Sequence, residues 1–258
     1  MNNETRCQIA QSFLQNHFRI SVRQPDDEEY SFAVTELLDS VSRTAILDIQ
    51  SALLSHPDRK VVGTLFAKRY SVWFTGLVAA VGLFDYRLSS NPANVRFHIS
   101  SQAVMAYQTM PEAQEWLSHT DLAKRRNQLA VYFQELLQNT DLVFASVSEH
   151  TSAPTKVMWS LVTHQLLQYY ARLEEEHNRE MTKERLQLIA DDQSILMGCK
   201  SEHLISTQLR RVKHPSHGSI LYIRRYCCLA FRLKSHGYCH TCPRLSAPDR
   251  ERMLMQER

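Results

Sequence analysis

Six cysteines occur in the 258 residues, and four of them stand close together near the C-terminus. The segment runs Arg224-Arg225-Tyr226-Cys227-Cys228, then ten residues, then Cys239-His240-Thr241-Cys242-Pro243. Four thiols this close in sequence form a donor set for iron–sulfur or for zinc. The adjacent pair argues for iron–sulfur. Zinc cysteines usually stand two to four residues apart, so that a turn aims both sulfurs at one ion. Neighbours in an extended chain point to opposite faces, which suits a cluster with two metal centres better than a single ion. The expected site is therefore an iron–sulfur cluster on Cys227, Cys228, Cys239 and Cys242. A zinc-stabilised interaction module is the alternative, and Cys239 with Cys242 also forms a C-x-x-C open to dithiol chemistry. Cys7 and Cys199 have no patterned partner and read as buried, inert thiols.

The neighbours of these cysteines are basic. Arg224, Arg225, Arg232 and Lys234 have two readings: they tune a cluster's potential and hold an anionic substrate, or they are the outward residues of an extended segment. His240 lies inside the C-x-x-C loop and His236 just before it. With four cysteines already present, both are expected beside the site rather than on the metal. His214 and His217 read as a solvated loop, and Tyr226 and Tyr238 as packing residues.

Charge is distributed unevenly. Residues 200–258 carry 12 Lys and Arg against 4 Asp and Glu, while the other 199 residues carry 18 against 23. An anionic four-thiolate cluster is offset by nearby cations, which raise its potential. The same cations attract an anionic chelate or an acidic electron donor. Arg250, Arg252 and Arg258 are expected in a solvated tail. No recognition-helix or aromatic-platform pattern accompanies the basic residues, so nucleic acid is not an expected partner. Only six glycines occur, without G-x-G-x-x-G or G-x-x-x-x-G-K-[ST], which argues against dinucleotide and P-loop chemistry. The apolar run Val72–Phe84 is too short to span a bilayer. The N-terminal residues lack a signal-peptide pattern, so no transmembrane segment and a cytoplasmic location are expected.

The stretch Arg224-Arg225-Tyr226-Cys227-Cys228-Leu229, with Tyr238-Cys239-His240-Thr241-Cys242-Pro243, resembles the C-terminal signature of the FhuF-like ferric siderophore reductases. The resemblance covers roughly the last fifth of the chain. It implies that the four cysteines ligate a [2Fe–2S] cluster. It also implies one-electron reduction of siderophore-bound ferric iron, of hydroxamate or mixed-ligand type. No nicotinamide site is visible, so the electron is expected from an external donor such as a ferredoxin or flavoprotein reductase. The chelate is expected to dock in a cleft between the basic segment and the helical body.

The elements that must hold this segment are mostly helices. Helices are expected at 4–18 (Ile9, Phe13, Leu14 and Phe18 inward), 35–54, 59–84, from about Pro111 through Leu137, through Met158–Leu173, and at 181–197. For 35–54 the expected inward face is Leu37, Leu38, Val41, Ala45, Ile46, Ile49 and Leu53. Breaks fall at 25–29, Pro57-Asp58, 151–154 and 215–218. Val95, Phe97 and Ile99 alternate with polar residues, which predicts a strand, with a second near Tyr107. Residues 220–233 read as extended and 239–243 as a tight turn. Trp73 and Trp159 read as core. The expected fold is α+β and predominantly helical, with a small antiparallel sheet. Its organisation is a helical domain at 1–203, a cluster-binding segment at 204–247 and a basic tail at 248–258.

Overall fold

One 26-residue helix, α3 (Arg59–Phe84), is buried on nearly every side. A helix apolar all round must be enclosed by other elements, and the rest of the chain is arranged about it. The computed structural model describes residues 3–22, 30–109, 115–118, 121–176, 181–199, 209–216, 218–234 and 236–256. Around α3 lie α1 (Asn3–Phe18), α2 (Ser40–Leu53), α4 (Leu122–Thr151), α5 (Thr155–Glu176) and α6 (Lys183–Gly198). The fold is α+β and predominantly helical, as the periodicity predicts.

Close approach to α3 requires glycine at two places. A Cβ on Gly63 would overlap the Thr151 hydroxyl and lie 2.7 Å from the Ala153 Cβ. One on Gly76 would lie 2.5 Å from Ile20 Cδ1. Asp58 caps the start of α3 by accepting from the Lys60 N–H at 2.8 Å. Tyr70, Trp73, Tyr107, Phe144 and Trp159 pack as a contiguous aromatic core.

Strands β1 (Ile20–Val22), β2 (Phe32–Ala33), β4 (Val95–Ile99) and β5 (Met105–Thr109) form a sheet in the order β1-β5-β4-β2. The hairpin of β4 and β5 pairs Phe97 with Tyr107. The sheet is mixed rather than wholly antiparallel, because β1 runs parallel to β5 with Ile20 opposite Tyr107. Two further ribbons join β3 (Tyr86–Arg87) to β6 (Glu115–Trp116) and β7 (Arg210–Lys213) to β8 (Ile220–Ile223).

Several expectations change. Residues 34–37 form a 3₁₀ turn, and α2 begins only at Ser40 behind an Asp39 cap. The face that α2 buries is Arg43, Ile46, Leu47 and Gln50, while Val41 is 76% exposed and Ile49 and Leu53 also face outward. The polar members find partners inside: Gln50 donates to Val62 O, and Arg43 to Ser146 Oγ. Ile9 and Leu122 likewise face solvent. Strand β8 stops at Ile223, and the chain then runs irregularly into a 3₁₀ turn at Ala230–Arg232. The expected tail is a helix, α7 (Ala247–Gln256). The helix expected from about Pro111 begins only at Leu122, after strand β6. The expected break at 25–29, the boundary near 203 and His217 lie outside the described residues. No helix among the described residues is long and apolar enough to cross a membrane.

At the far end of α3 lies a buried ion network. Arg125 of α4 donates to Asp85 at 2.9 Å and grips the Asp192 carboxylate of α6 with both terminal nitrogens. Arg185 donates to Asp85 at 2.7 Å. Asp85 itself closes α3 in the left-handed conformation, with φ 55°.

Candidate metal centre

The cysteine segment is fastened to the helical body at both ends. Polar side chains of α5 take up the free edge of β8. Glu175 accepts from the Ile220 N–H at 2.6 Å, Gln168 bonds both Ile220 O and the Tyr222 N–H at 3.1 Å, and His164 meets Tyr222 O at 2.8 Å. The next residues along the chain carry the first cysteines. Thr64 of α3 donates to Cys228 O at 2.8 Å. On the other side, Arg250 is 3% exposed and holds three carbonyls, those of His240, Cys242 and Leu245, at 2.8, 2.7 and 3.0 Å. Arg250 is thus a structural clamp rather than a solvated tail residue. Arg252 is exposed and paired with Asp249, and Arg258 lies outside the described residues.

The two halves of the motif meet. The Arg224 N–H donates to Thr241 O at 3.1 Å, and Cys242 N–H to Cys239 O at 2.8 Å closes the expected tight turn. Leu229 adopts φ 63°, a costly conformation for a residue with a side chain, and its N–H reaches Cys227 Sγ at 3.4 Å.

All four cysteines are free thiols. Cys227 Sγ and Cys242 Sγ are 3.6 Å apart. Two thiolates on one tetrahedral metal, with bonds of about 2.3 Å, stand about 3.8 Å apart. Cys228 and Cys239 meet instead at Arg224, which donates to Cys239 and also bonds Cys228. Among the described residues, no group of three or more His, Cys, Asp and Glu is arranged to hold a metal ion. The donors gather as one close pair and one pair bridged by a guanidinium. In donor type and number the four thiols fit a [2Fe–2S] cluster.

Arg224 is 4% exposed. Among the described residues no carboxylate pairs with it, and its Nε has no hydrogen-bond partner. A buried charge without a counter-charge is costly. Burial would lower its pKa, yet Cys228, Cys239 and Cys242 hold it above the ordinary value when they carry charge. The Cys227 thiol is pushed up to about 11, chiefly by burial. Bare, it is therefore protonated at neutral pH. Metal binding requires thiolates, and their charge is what Arg224 is placed to balance. Burial, then the Arg224 charge, lower His164 to about 3. It is neutral, with its Nε2 proton donated to Tyr222 O.

The remaining sequence candidates divide. Arg225 is exposed and lies over the Tyr226 ring at 5.8 Å. Arg232 is exposed. Half-buried His240 serves the site through its carbonyl, which Arg250 holds. His214 is buried and accepts from the Ser216 N–H at 3.2 Å, so it is not a solvated loop residue. Tyr238 stacks near Phe231 at 4.7 Å. Cys7 accepts from Gln11 at 3.3 Å, and Cys199 donates to Ile195 O at 3.3 Å; both lie apart from the four. Lys234 lines a cleft of about 600 Å³ between the cysteine segment, the end of α2 and the middle of α3, with Arg19, Lys68, Arg69 and His236.

The sequence reading missed Thr64, His164, Gln168, Glu175, Lys68 and Arg69. His164 and Gln168 are four apart on one face of an apolar helix, and Lys68-Arg69 interrupts an apolar one; those breaks in pattern were the available signal. No protein-family model matches the chain, and no curated protein matches it.

Proposed function

We propose that the chain is a ferric siderophore reductase whose Cys227, Cys228, Cys239 and Cys242 hold a [2Fe–2S] cluster. The observation that carries this reading is the gathering of four free thiols, three of them beside the buried Arg224, with which no carboxylate pairs among the described residues. When bound, such a cluster supplies single electrons. The chain's own residues set the conditions. Arg224 offsets thiolate charge, the Leu229 N–H donates to Cys227, and both effects raise the potential. Hard oxygen donors hold ferric iron far more tightly than ferrous iron, so one electron converts a trapped ion into a releasable one. The electron comes from an external donor such as a ferredoxin or flavoprotein reductase.

The test is anaerobic purification with iron, sulfide and zinc analysis and a visible spectrum on one sample, followed by mixing the reduced protein with ferric siderophores. Equal iron and sulfide, a colour that bleaches on reduction, and faster reoxidation by the chelates support the reading. A colourless zinc protein overturns it. A coloured protein that chelates do not reoxidise is an electron carrier or sensor instead.

A further inference from the structure

We propose that the cleft beside the cysteine segment binds a polyanionic ferric chelate, of carboxylate or catecholate type, and discriminates against neutral tris-hydroxamate complexes. This rests on the reductase reading and departs from the hydroxamate type that the resemblance implies. At about 600 Å³ the cleft has the size of a small-molecule site. Its charged lining is one-signed among the described residues: Arg19, Lys68, Arg69 and Lys234 contribute cations, and no Asp or Glu is among them. Leu65, Val72 and Leu233 supply apolar walls.

Arg69 is the strongest element of the site. It is half-buried, and its buried Nη1 has no hydrogen-bond partner among the described residues. An unsatisfied buried donor costs about 1–3 kcal/mol, and more on a charged group. An anionic oxygen in the cleft offers the half-buried Arg69 guanidinium a charge-assisted bond. A neutral ligand leaves the cations desolvated and uncompensated, which is how a site rejects it. Three hydroxamates neutralise ferric iron, whereas carboxylate and catecholate complexes retain net negative charge.

The cleft also adjoins the proposed metal centre. Ala230 and Leu233 in its wall follow directly on the Cys227-Cys228 pair. Leu65 follows Thr64, which holds the Cys228 carbonyl. The Lys68 charge is felt at His164, which also feels Arg224. A chelate seated there rests against the cysteine segment.

Gallium(III) complexes test binding without electron transfer. Titration calorimetry with the full chain would compare gallium citrate, a gallium tris-catecholate and a gallium tris-hydroxamate at low and high salt. The anionic complexes are expected to bind at least about tenfold tighter than the hydroxamate and to weaken with salt. The stronger of the two identifies the chelate type. Lys68→Glu and Lys234→Glu, both at exposed positions, are each expected to weaken binding about tenfold, and Arg69→Met more. Equal affinity for neutral and anionic complexes, or variants without effect, overturns the proposal. Reoxidation of the reduced protein by the ferric counterparts separates the two readings. Selective binding without reoxidation keeps the cleft and removes the reductase. Reoxidation indifferent to chelate charge and to the variants keeps the reductase and removes the cleft.

Discussion

At the scale of single residues, Arg224 governs the electrostatics of the centre. It adjoins Arg225, which has the same chemistry and the opposite fate: one is buried among thiols and the other lies exposed over a tyrosine ring. The sequence made the four cysteines plain by their spacing but left the two arginines indistinguishable, because the burial of Arg224 is decided by the distant Thr241 carbonyl and the second cysteine pair. Arg224→Gln removes the charge and keeps a donor. Less compensation of the thiolates lowers the reduction potential, so a redox titration should find the variant more negative than the parent, with Arg224→Lys between them. A potential unmoved by Gln would mean that the arginine serves packing alone. His164 makes a pH prediction. Burial and the Arg224 charge put its folded pKa, about 3, below the ordinary 6.5, so the unfolded chain binds more protons in between. Stability is fully present above pH 6.5 and declines as pH falls toward 3. His164→Gln keeps a donor for Tyr222 O without titrating, and its denaturant midpoint should fall less than the parent's between pH 7 and pH 5.

At the scale of elements, the decisive device is the side-chain ladder by which α5 completes the outer edge of β8. His164, Gln168 and Glu175 share one face of the helix and satisfy the exposed main-chain groups of Ile220 and Tyr222, which would otherwise be an open strand edge. Gln168→Leu orphans a carbonyl and an N–H at once, at about 1–3 kcal/mol each. Because β8 leads directly into Arg224 and Cys227, the variant should lose bound metal at lower denaturant than it loses helical circular dichroism. Simultaneous loss would show that the ribbon does not anchor the centre. Helices and the β4–β5 hairpin were legible because their apolar periods are long and local. The inward face of α2 was not, since Arg43 and Gln50 are buried through partners far along the chain, while Val41 and Ile49 are left outside. The parallel pairing of β1 with β5 was equally hidden, because it joins a three-residue strand to one more than eighty positions away.

At the scale of the whole molecule, two polar assemblies sit toward opposite ends of α3. Thr64, near its start, holds the cysteine segment, and Asp85, at its end, holds the ion network. At 1.5 Å per residue the two positions are about 30 Å apart along the axis. No local pattern announces the network, whose members come from α4, α6 and the cap of α3. Asp85 would be raised by burial, but Arg185 and Arg125 hold it below 3.8. Its contribution is therefore present above that pH and lost as pH falls through the folded value. Arg125, 1% exposed, touches both carboxylates, so Arg125→Met leaves two buried acids without their central partner, at about 3–5 kcal/mol. Replacing Asp192 by Leu in the same chain should recover part of that loss, since it removes one stranded charge. Sites this far apart without shared partners add independently. Arg125→Met is accordingly expected to lower the denaturation midpoint strongly while leaving the visible spectrum and reduction potential of the metal-loaded protein at the parent's values. If the potential shifts with stability, α3 transmits strain along its length and the two ends of the molecule are not separable.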